Sequence, residues 1–482
     1  MNKEKKIRLL CFSVVQLQSP LHIGTGDSHN PLADQLVSRN GKGLPVIPGS
    51  TLAGSFKTNL SGDEQEGWLG IPKSDSKQKK ISPSSFVFDD AEVIPGQESL
   101  LKYPVELRDG VTLLRESMTA KPDNYFQTEV VPVGTSFCFA CRGDVSKSKI
   151  DDVKNKLRKF LFEGGQLGGN QNAGQGEWMT DKICWLQLDM SKPEDLKWWL
   201  NTGHGMEWKG DFNNLLKKNR NVKIESRMND WKTNSDFEIH LSVEIKNGLH
   251  LSAGSSGIPE KGMPDIQQVQ RQKIDYDNGN AKFDSEYVDY GTAIKGRFRT
   301  AMEMLLRTYL HHQNLDKKQI LTRVPGDPSE FNQKTVPEEI QKFFGGKKYK
   351  GAWSVREKAW TGTPEKLSRE DHIKIDEFTQ QTIEHAKFDF APLAQGKTDV
   401  FIRLNPGYNE LWQKTLLYLT AELLALNLLP WGGHGSRGYL GAKVTFENRD
   451  KIKQSIDTEK FEKFNGFLND IIKSEAKEVM YE

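Results

Sequence analysis

The chain has 482 residues, with 67 lysines and arginines against 65 aspartates and glutamates and a formal net charge of +2. That length is generous for one hydrophobic core, so two domains of roughly 200 residues are expected, and the balanced charge leaves any nucleic-acid partner to be argued from local clusters. Four cysteines and a charged Met-Asn-Lys-Glu-Lys-Lys start suggest a reducing cytoplasm, and no apolar run is long enough to imply a membrane partner.

In chain order, Ile7 to Leu17 is largely apolar and reads as a half-buried strand, running into LHIGTG at Leu21 to Gly26. PGSTLAGSFKTNL at Pro48 to Leu60 then opens a helix with Ser50 and Lys57 near its beginning. A strand FVFDDAEV covers Phe86 to Val93, and a polar excursion holds LLRESMTAKPDNYF at Leu113 to Phe126, including Arg115. After Gly134 a strand contains Cys138 and Cys141, a CFAC pair whose three-residue spacing puts the thiols on opposite faces; both read as core thiols. Ile150, Val153, Leu157, Phe160 and Leu161 follow at helical spacing, and a glycine-rich loop, LGGNQNAGQGEW, runs from Leu167 to Trp178 with Gly168 and Gly169 in front.

A Trp-rich stretch from about Leu188 to Ser235 carries LLKKNRNVKIESR and reads as a solvated basic connector. The whole order then starts again. FEIHLSVEI at Phe237 to Ile245 alternates as a strand does, LHLSAG follows at Leu249 to Gly254, and YGTAIKGRFRTAM at Tyr290 to Met302 brings Thr292, Lys295, Arg297 and Arg299 near a helix start. Phe343 to Gly345 answers Trp68 to Gly70, AWSVREKAW answers FVFDDAEV, and LSREDHIKIDEFTQQ aligns its Arg369 with Arg115. A strand after Gly396 and a buried helix over Leu416 to Leu429 lead to WGGHGSRGYLG at Trp431 to Gly441, with Gly432, Gly433, His434, Ser436 and Arg437. One such loop alone reads best as a tight turn; found twice, it reads as a backbone offering N–H groups to phosphates, and helix N-termini invite the same ligand. The tail from Asn448 to Glu482 reads as a surface helix.

Strand, helix, strand, excursion, strand, helix, strand is the order of a βαββαβ unit. The fold expected is therefore α+β: two tandem ferredoxin-like (RRM-like) domains, each interrupted by a long polar excursion, at 1–187 and 236–447, joined by a linker at 188–235 and followed by a helical tail at 448–482.

LPVIPGSTLAGSFK, DYGTAIKGRFR, FDDA and the two glycine loops together resemble the RAMP superfamily of CRISPR-associated proteins, in particular the backbone subunits of type III effector complexes, here two in one chain as in a type III-D-like subunit. The first loop departs from the pattern, lacking the Ser-Arg of Ser436 and Arg437. The resemblance implies that the excursions are thumb-like insertions. It implies a guide (CRISPR) RNA held along both repeats, a target single-stranded RNA cut at fixed intervals, and other RAMP-type subunits and a large signalling subunit as partners. Ser50, Lys57, Arg115, Gly168, Gly169, Thr292, Lys295, Arg297, Arg299, Arg369, Gly432, Gly433, His434, Ser436 and Arg437 become the expected RNA contacts. It also implies an aspartate between the first strand and the PGS helix, for which Asp34 and Asp265 are the choices; Asp34 as a plain turn residue is the competing reading. An exposed carboxylate is a weak base at neutral pH, so a divalent cation, Mg2+ or Mn2+, held by Asp34 and Asp265 is expected. A scaffold that only binds guide RNA, and a precursor-processing nuclease using His434 or His372, are the alternatives.

Overall fold

A computed structural model describes residues 6–26, 33–70, 83–101, 106–114, 120–201, 208, 210–212, 222–227, 237–246, 248–252, 264–277, 280–327, 330, 336–346, 348–361, 369–429, 431–433 and 441–456. The first half runs β1 (Lys6–Leu17), β2 (Val46–Ile47), α1 (Gly49–Lys57), α2 (Gly62–Leu69), β3 (Phe86–Phe88), β4 (Ala91–Val93), β5 (Glu106–Leu113), β6 (Ala120–Val130), β7 (Ser136–Ser146), α3 (Ile150–Glu163), β8 (Gly165–Gln166), β9 (Glu177–Met179) and β10 (Lys182–Leu188). Next come α4 (Pro193–Asn201) and β11 (Lys223–Ser226). The second half runs β12 (Glu238–Ile245), β13 (Gln270–Asp277), β14 (Asn280–Tyr287), α5 (Gly291–His312), α6 (Lys317–Arg323), α7 (Glu338–Phe344), β15 (Trp353–Arg356), β16 (Glu370–Ile375), β17 (Thr382–Phe390), β18 (Lys397–Leu404), α8 (Leu411–Ala425), β19 (Ala442–Phe446) and α9 (Arg449–Ser455).

The halves repeat one antiparallel arrangement. β1 lies between β7 and β10, with Cys11 opposite Cys141 on one side and Trp185 on the other. β4 pairs the far side of β7, so the order is β10-β1-β7-β4; the second sheet runs β19-β12-β18-β15. Each half packs one sheet face on helices. Leu9, Val15, Phe137 and Phe139 meet Phe56 of α1 and Leu157, Phe160 and Leu161 of α3; Ile239, Leu241, Val400 and Ile402 meet Phe298 and Met302 of α5 and Leu416 and Leu417 of α8. α3 forms where expected, because its apolar residues recur on one face while Asp151 and Asp152 face the positive end of the helix dipole. No helix among the described residues is long and apolar enough to cross a membrane.

Several expectations need correction. The helix expected over Leu416 to Leu429 begins at Leu411, where Glu410 and Gln413 form a capping box, and stops at Ala425. Asn427 beyond it takes a left-handed φ of 55°, and Leu426 and Leu428 are exposed. Where it is described, the stretch read as a solvated connector instead covers the outer face of the first sheet, while most of its basic run, 213–221, lies outside the described residues. Trp199 and Trp208 bury themselves against Leu10, Phe12, Cys184 and Leu186. The reason lies in β1, which is apolar on both faces and so needs a second cover, whereas the matching face of β12 carries Glu238, His240, Ser242 and Glu244 and needs none. Of the thiols, Cys141 sits in the first core and Cys138 faces this second cover. In the tail the described helix is α9 alone, and 457–482 lies outside the described residues.

The halves are tightly joined. Ile274 of β13 is buried among the core residues of the first half, and its N–H donates to Val133 O at 2.8 Å. Burying an isoleucine this way stabilises the junction by roughly 1.5–3 kcal/mol. Beside it, Arg108 of β5 donates to both oxygens of Glu357, which also receives Arg271 and the Gly291 N–H. Burial alone would push the Glu357 carboxyl up, but these donors outweigh it and hold it below the ordinary glutamate range.

Candidate nucleic-acid interface

Asp34 and Asp265 occupy the same place in the two halves. Asp34 accepts a 2.7 Å hydrogen bond from the backbone N–H of Gln127 on β6, and Asp265 accepts one of 3.1 Å from the backbone N–H of Asp389 on β17. The next residue in each case donates back to the same strand, Gln35 N–H to Gln127 O and Ile266 N–H to Asp389 O. Parallel bridges Gln35–Thr128 and Ile266–Phe390 continue the match. Both aspartates are exposed. Each thus stands at the root of a two-stranded hairpin, β5–β6 or β16–β17, that projects from its sheet.

The hairpins match through their registers. Asp109 pairs with Gln127 and Asp371 with Asp389, which places Leu107 opposite the site of Arg369, and Tyr125 where Lys387 stands. The sequence alignment of Arg115 with Arg369 is therefore corrected; Arg115 itself lies outside the described residues. Around Asp34, the Gln127 side-chain amide donates to Asp109 at 2.9 Å and the Tyr125 hydroxyl donates to Asp109 at 2.7 Å. Around Asp265 the set is more highly charged. The Asp265 N–H donates to Asp389 Oδ1 at 2.7 Å, Arg369 pairs with the other oxygen of Asp389, and Lys387 lies 3.3 Å from Asp371. The excursions were expected to be polar, yet Val111, Tyr125, Ile373 and Ile375 are exposed on them, and Phe378 at the second tip is 95% exposed. Asp376 holds that tip by accepting the N–H groups of Phe378 and Thr379.

In each glycine loop the second glycine of the pair spends its N–H on its own chain. Gly169 N–H donates to His22 O at 2.7 Å and Gly433 N–H to His250 O at 2.8 Å, so each loop is stitched to the LHI or LHL segment of its own half. Gly168 and Gly432 have φ of 75° and 93°, and a Cβ at Gly168 would lie 2.0 Å from His22 O. The rest of the first loop docks on the second half: Asn172 donates to Gly351 O and accepts from Asn405 at 3.0 Å. His434, Ser436 and Arg437 lie outside the described residues. At each helix start the first N–H is bonded to a carboxylate of the chain itself: Asp90 accepts from Gly49 N–H at 2.7 Å and Glu357 from Gly291 N–H at 3.2 Å.

The expected RNA contacts divide. Ser50, Lys57 and Thr292 are exposed, though Lys57 closes α1 instead of opening it. Arg297 pairs with buried Asp289 and lies 4.3 Å over the Trp431 ring, so it anchors the second loop to α5. Arg299 donates to buried Glu303. Lys295 lies 5.3 Å over Trp353, and burial, with Arg299 and Lys350 nearby, pushes its ammonium down to about 7. His372 is stacked on Phe388 and Phe390, and the Glu370 carboxylate is 3.8 Å away. Tyr125, Asp109 and Asp389 escaped sequence reasoning; the hairpin register that brings them to the aspartates is not a local pattern.

A family profile for RAMPs, the RAMP superfamily, matches residues 14–177 and 273–441. The chain belongs to the RAMP superfamily. It is a tandem RAMP protein, because each match falls on one of the two repeated halves. No curated protein matches it. RAMP membership suggests a CRISPR-associated RNA-binding subunit. Among the described residues no group of three or more His, Cys, Asp or Glu could hold a metal by itself. Each half offers one exposed carboxylate there, Asp34 or Asp265, and Mg2+ is commonly held by one or two carboxylates and completed by substrate phosphate and water.

Proposed function

We propose that this RAMP protein is a backbone subunit of a type III, III-D-like, CRISPR effector complex that holds guide RNA along both halves and cuts the paired target RNA at two positions. The strand order of each half supports reading both as ferredoxin-like units. The observation that carries the proposal is the equivalent placement of Asp34 and Asp265, each exposed and each fixed by a backbone N–H at the root of a projecting hairpin. Guide and target pairing supplies sequence choice, and the protein supplies shape, charge and a wedge.

In the reaction the target 2′-oxygen bonds to the adjacent phosphorus, the bond from phosphorus to the 5′-oxygen breaks, and the proton lost by the 2′-hydroxyl is balanced by one gained at the 5′-oxygen. Asp34 or Asp265 accepts the 2′-hydroxyl proton's hydrogen bond and orients that oxygen in line. The hairpin splays the strand so that this line can form. Mg2+ or Mn2+ at Asp34 and Asp265 would supply positive charge to the phosphate oxygens. Guide RNA, target RNA, further RAMP-type subunits and a large signalling subunit are the partners of this reading.

The test is to replace Asp34 and Asp265 by Ala, singly and together, in the assembled complex and to map cuts on a guide-complementary RNA. Each single variant loses one cut and the double variant loses both. An unchanged pattern in the double variant rejects the assignment, and a parent complex that binds target without cutting leaves the protein as a scaffold.

A further inference from the structure

The two aspartate sites are alike in backbone geometry and unlike in their surroundings. At the first, the hairpin residue that clasps Asp34 is Gln127, and Leu107 stands at the register position of Arg369. At the second, the clasping residue is Asp389, which is buried, and its side chain does two things at once. Its Oδ1 accepts the Asp265 N–H at 2.7 Å while its own N–H holds the Asp265 carboxylate at 3.1 Å, so two residues lock each other by reciprocal side-chain to backbone bonds. Its other oxygen pairs with Arg369. The exposures are lopsided: the Arg369 side chain is 49% exposed and that of Asp389 only 2%. A guanidinium has five donors in a fixed fork, so one edge can be tethered while the other faces outward to a phosphate.

We infer that Asp389 is the positioning residue of the Asp265 site, fixing that carboxylate and holding Arg369 beside it as the cation for the scissile phosphate, and that the Asp34 site works without this pair. The inference rests on the cleavage reading above. A buried Asp389 also closes a hairpin root, so a purely structural role is what the test must separate. Under that role, loss of Asp389 would lower the melting temperature and target affinity and would disturb both cuts together. Under the positioning role, it changes the ratio of the two cuts within a single target.

The experiment uses the full chain in its assembled complex with guide RNA, Mg2+ and saturating end-labelled target, and reads single-turnover rates at both positions. Asp265→Ala identifies which cut belongs to that site. Asp389→Ala should slow this cut by about 10-fold or more while the other stays within about 2-fold. Asp389→Asn should recover part of the loss, because an amide oxygen still accepts the Asp265 N–H but does not retain Arg369 by charge. Arg369→Ala should match Asp389→Asn. Equal rates at the Asp265 position in the parent and Asp389→Ala complexes overturn the inference, as does a parallel fall at both positions. A parent whose cuts depend on Asp34 alone overturns it and leaves the cleavage reading standing; a parent that cuts nowhere overturns both.

Discussion

Arg108, from the hairpin of the first half, gives Glu357 in the second half two hydrogen bonds of 2.9 and 3.1 Å. Both side chains are buried, and Arg271 and the Gly291 N–H complete the shell of Glu357. Removing one member of such a pair strands the other without solvent, at a cost of about 3–5 kcal/mol. Glu357→Ala should lose that much in urea unfolding, and less in an Arg108→Ala background. A loss below about 1 kcal/mol would mean that water reaches the pair.

Two glycines of α5 should respond in opposite directions. A Cβ at Gly291 would lie 1.8 Å from the Ala173 carbonyl oxygen of the first half, whereas one at Gly296 meets nothing within 4 Å. Gly291→Ala should lower the melting temperature and loosen the junction, seen as faster amide exchange at Ile274. Gly296→Ala should stabilise by about 0.5–1 kcal/mol, the ordinary gain of alanine over glycine inside a helix.

Lys295 gives a pH signature. Its folded value, pushed down to about 7, lies below the ~10.4 of an unfolded lysine, so between those values the folded chain binds fewer protons and gains stability as pH rises. Lys295→Met should therefore be more stable than the parent below pH of about 7, and this advantage should shrink toward pH of ~10.4. Melting temperatures across that range decide the matter, and a constant offset would show that the ammonium carries no burial penalty.

Phe378, almost wholly exposed at the second tip, has no fold to support. Phe378→Ala should leave stability within about 0.5 kcal/mol of the parent. If the hairpin wedges into guide-target RNA, the same variant should weaken target binding by about 1–3 kcal/mol, the usual worth of a base stacked on an aromatic ring. Filter binding and a thermal melt, run side by side, separate the two effects.

How much of this was legible in the sequence depended on how far apart the interacting residues lie. The paired phrases LHIG and LHLS, and the two helices at Gly49 and Gly291, announced the duplication, and the structure gives them the same neighbours: Gly24 bridges Val37 as Ser252 bridges Gln268. Among seven aspartates in the two gaps, Asp34 was chosen on its spacing from the PGS helix and Asp265 on the similar polar sequence that follows it, with Gln267 and Arg271, although its gap is longer; the backbone bonds of the two are equivalent. What stayed hidden were partners remote in sequence. The carboxylate on Gly49 N–H comes from Asp90, 41 positions away, and the carbonyl on Gly169 from His22. A glycine-rich loop reads alike whether its donors face a phosphate or its own chain, and a local motif shared with Arg115 did not reveal that the register counterpart of Arg369 is Leu107.

The loan of Ile274 to the interior of the preceding half carries an evolutionary corollary. While two copies of a gene product merely touch, either can drift, dissociate or be lost. Once one copy fills a hole in the other, a split gene would yield a fragment with a gap where that residue belonged, and fusion becomes a ratchet that mutation cannot readily turn back.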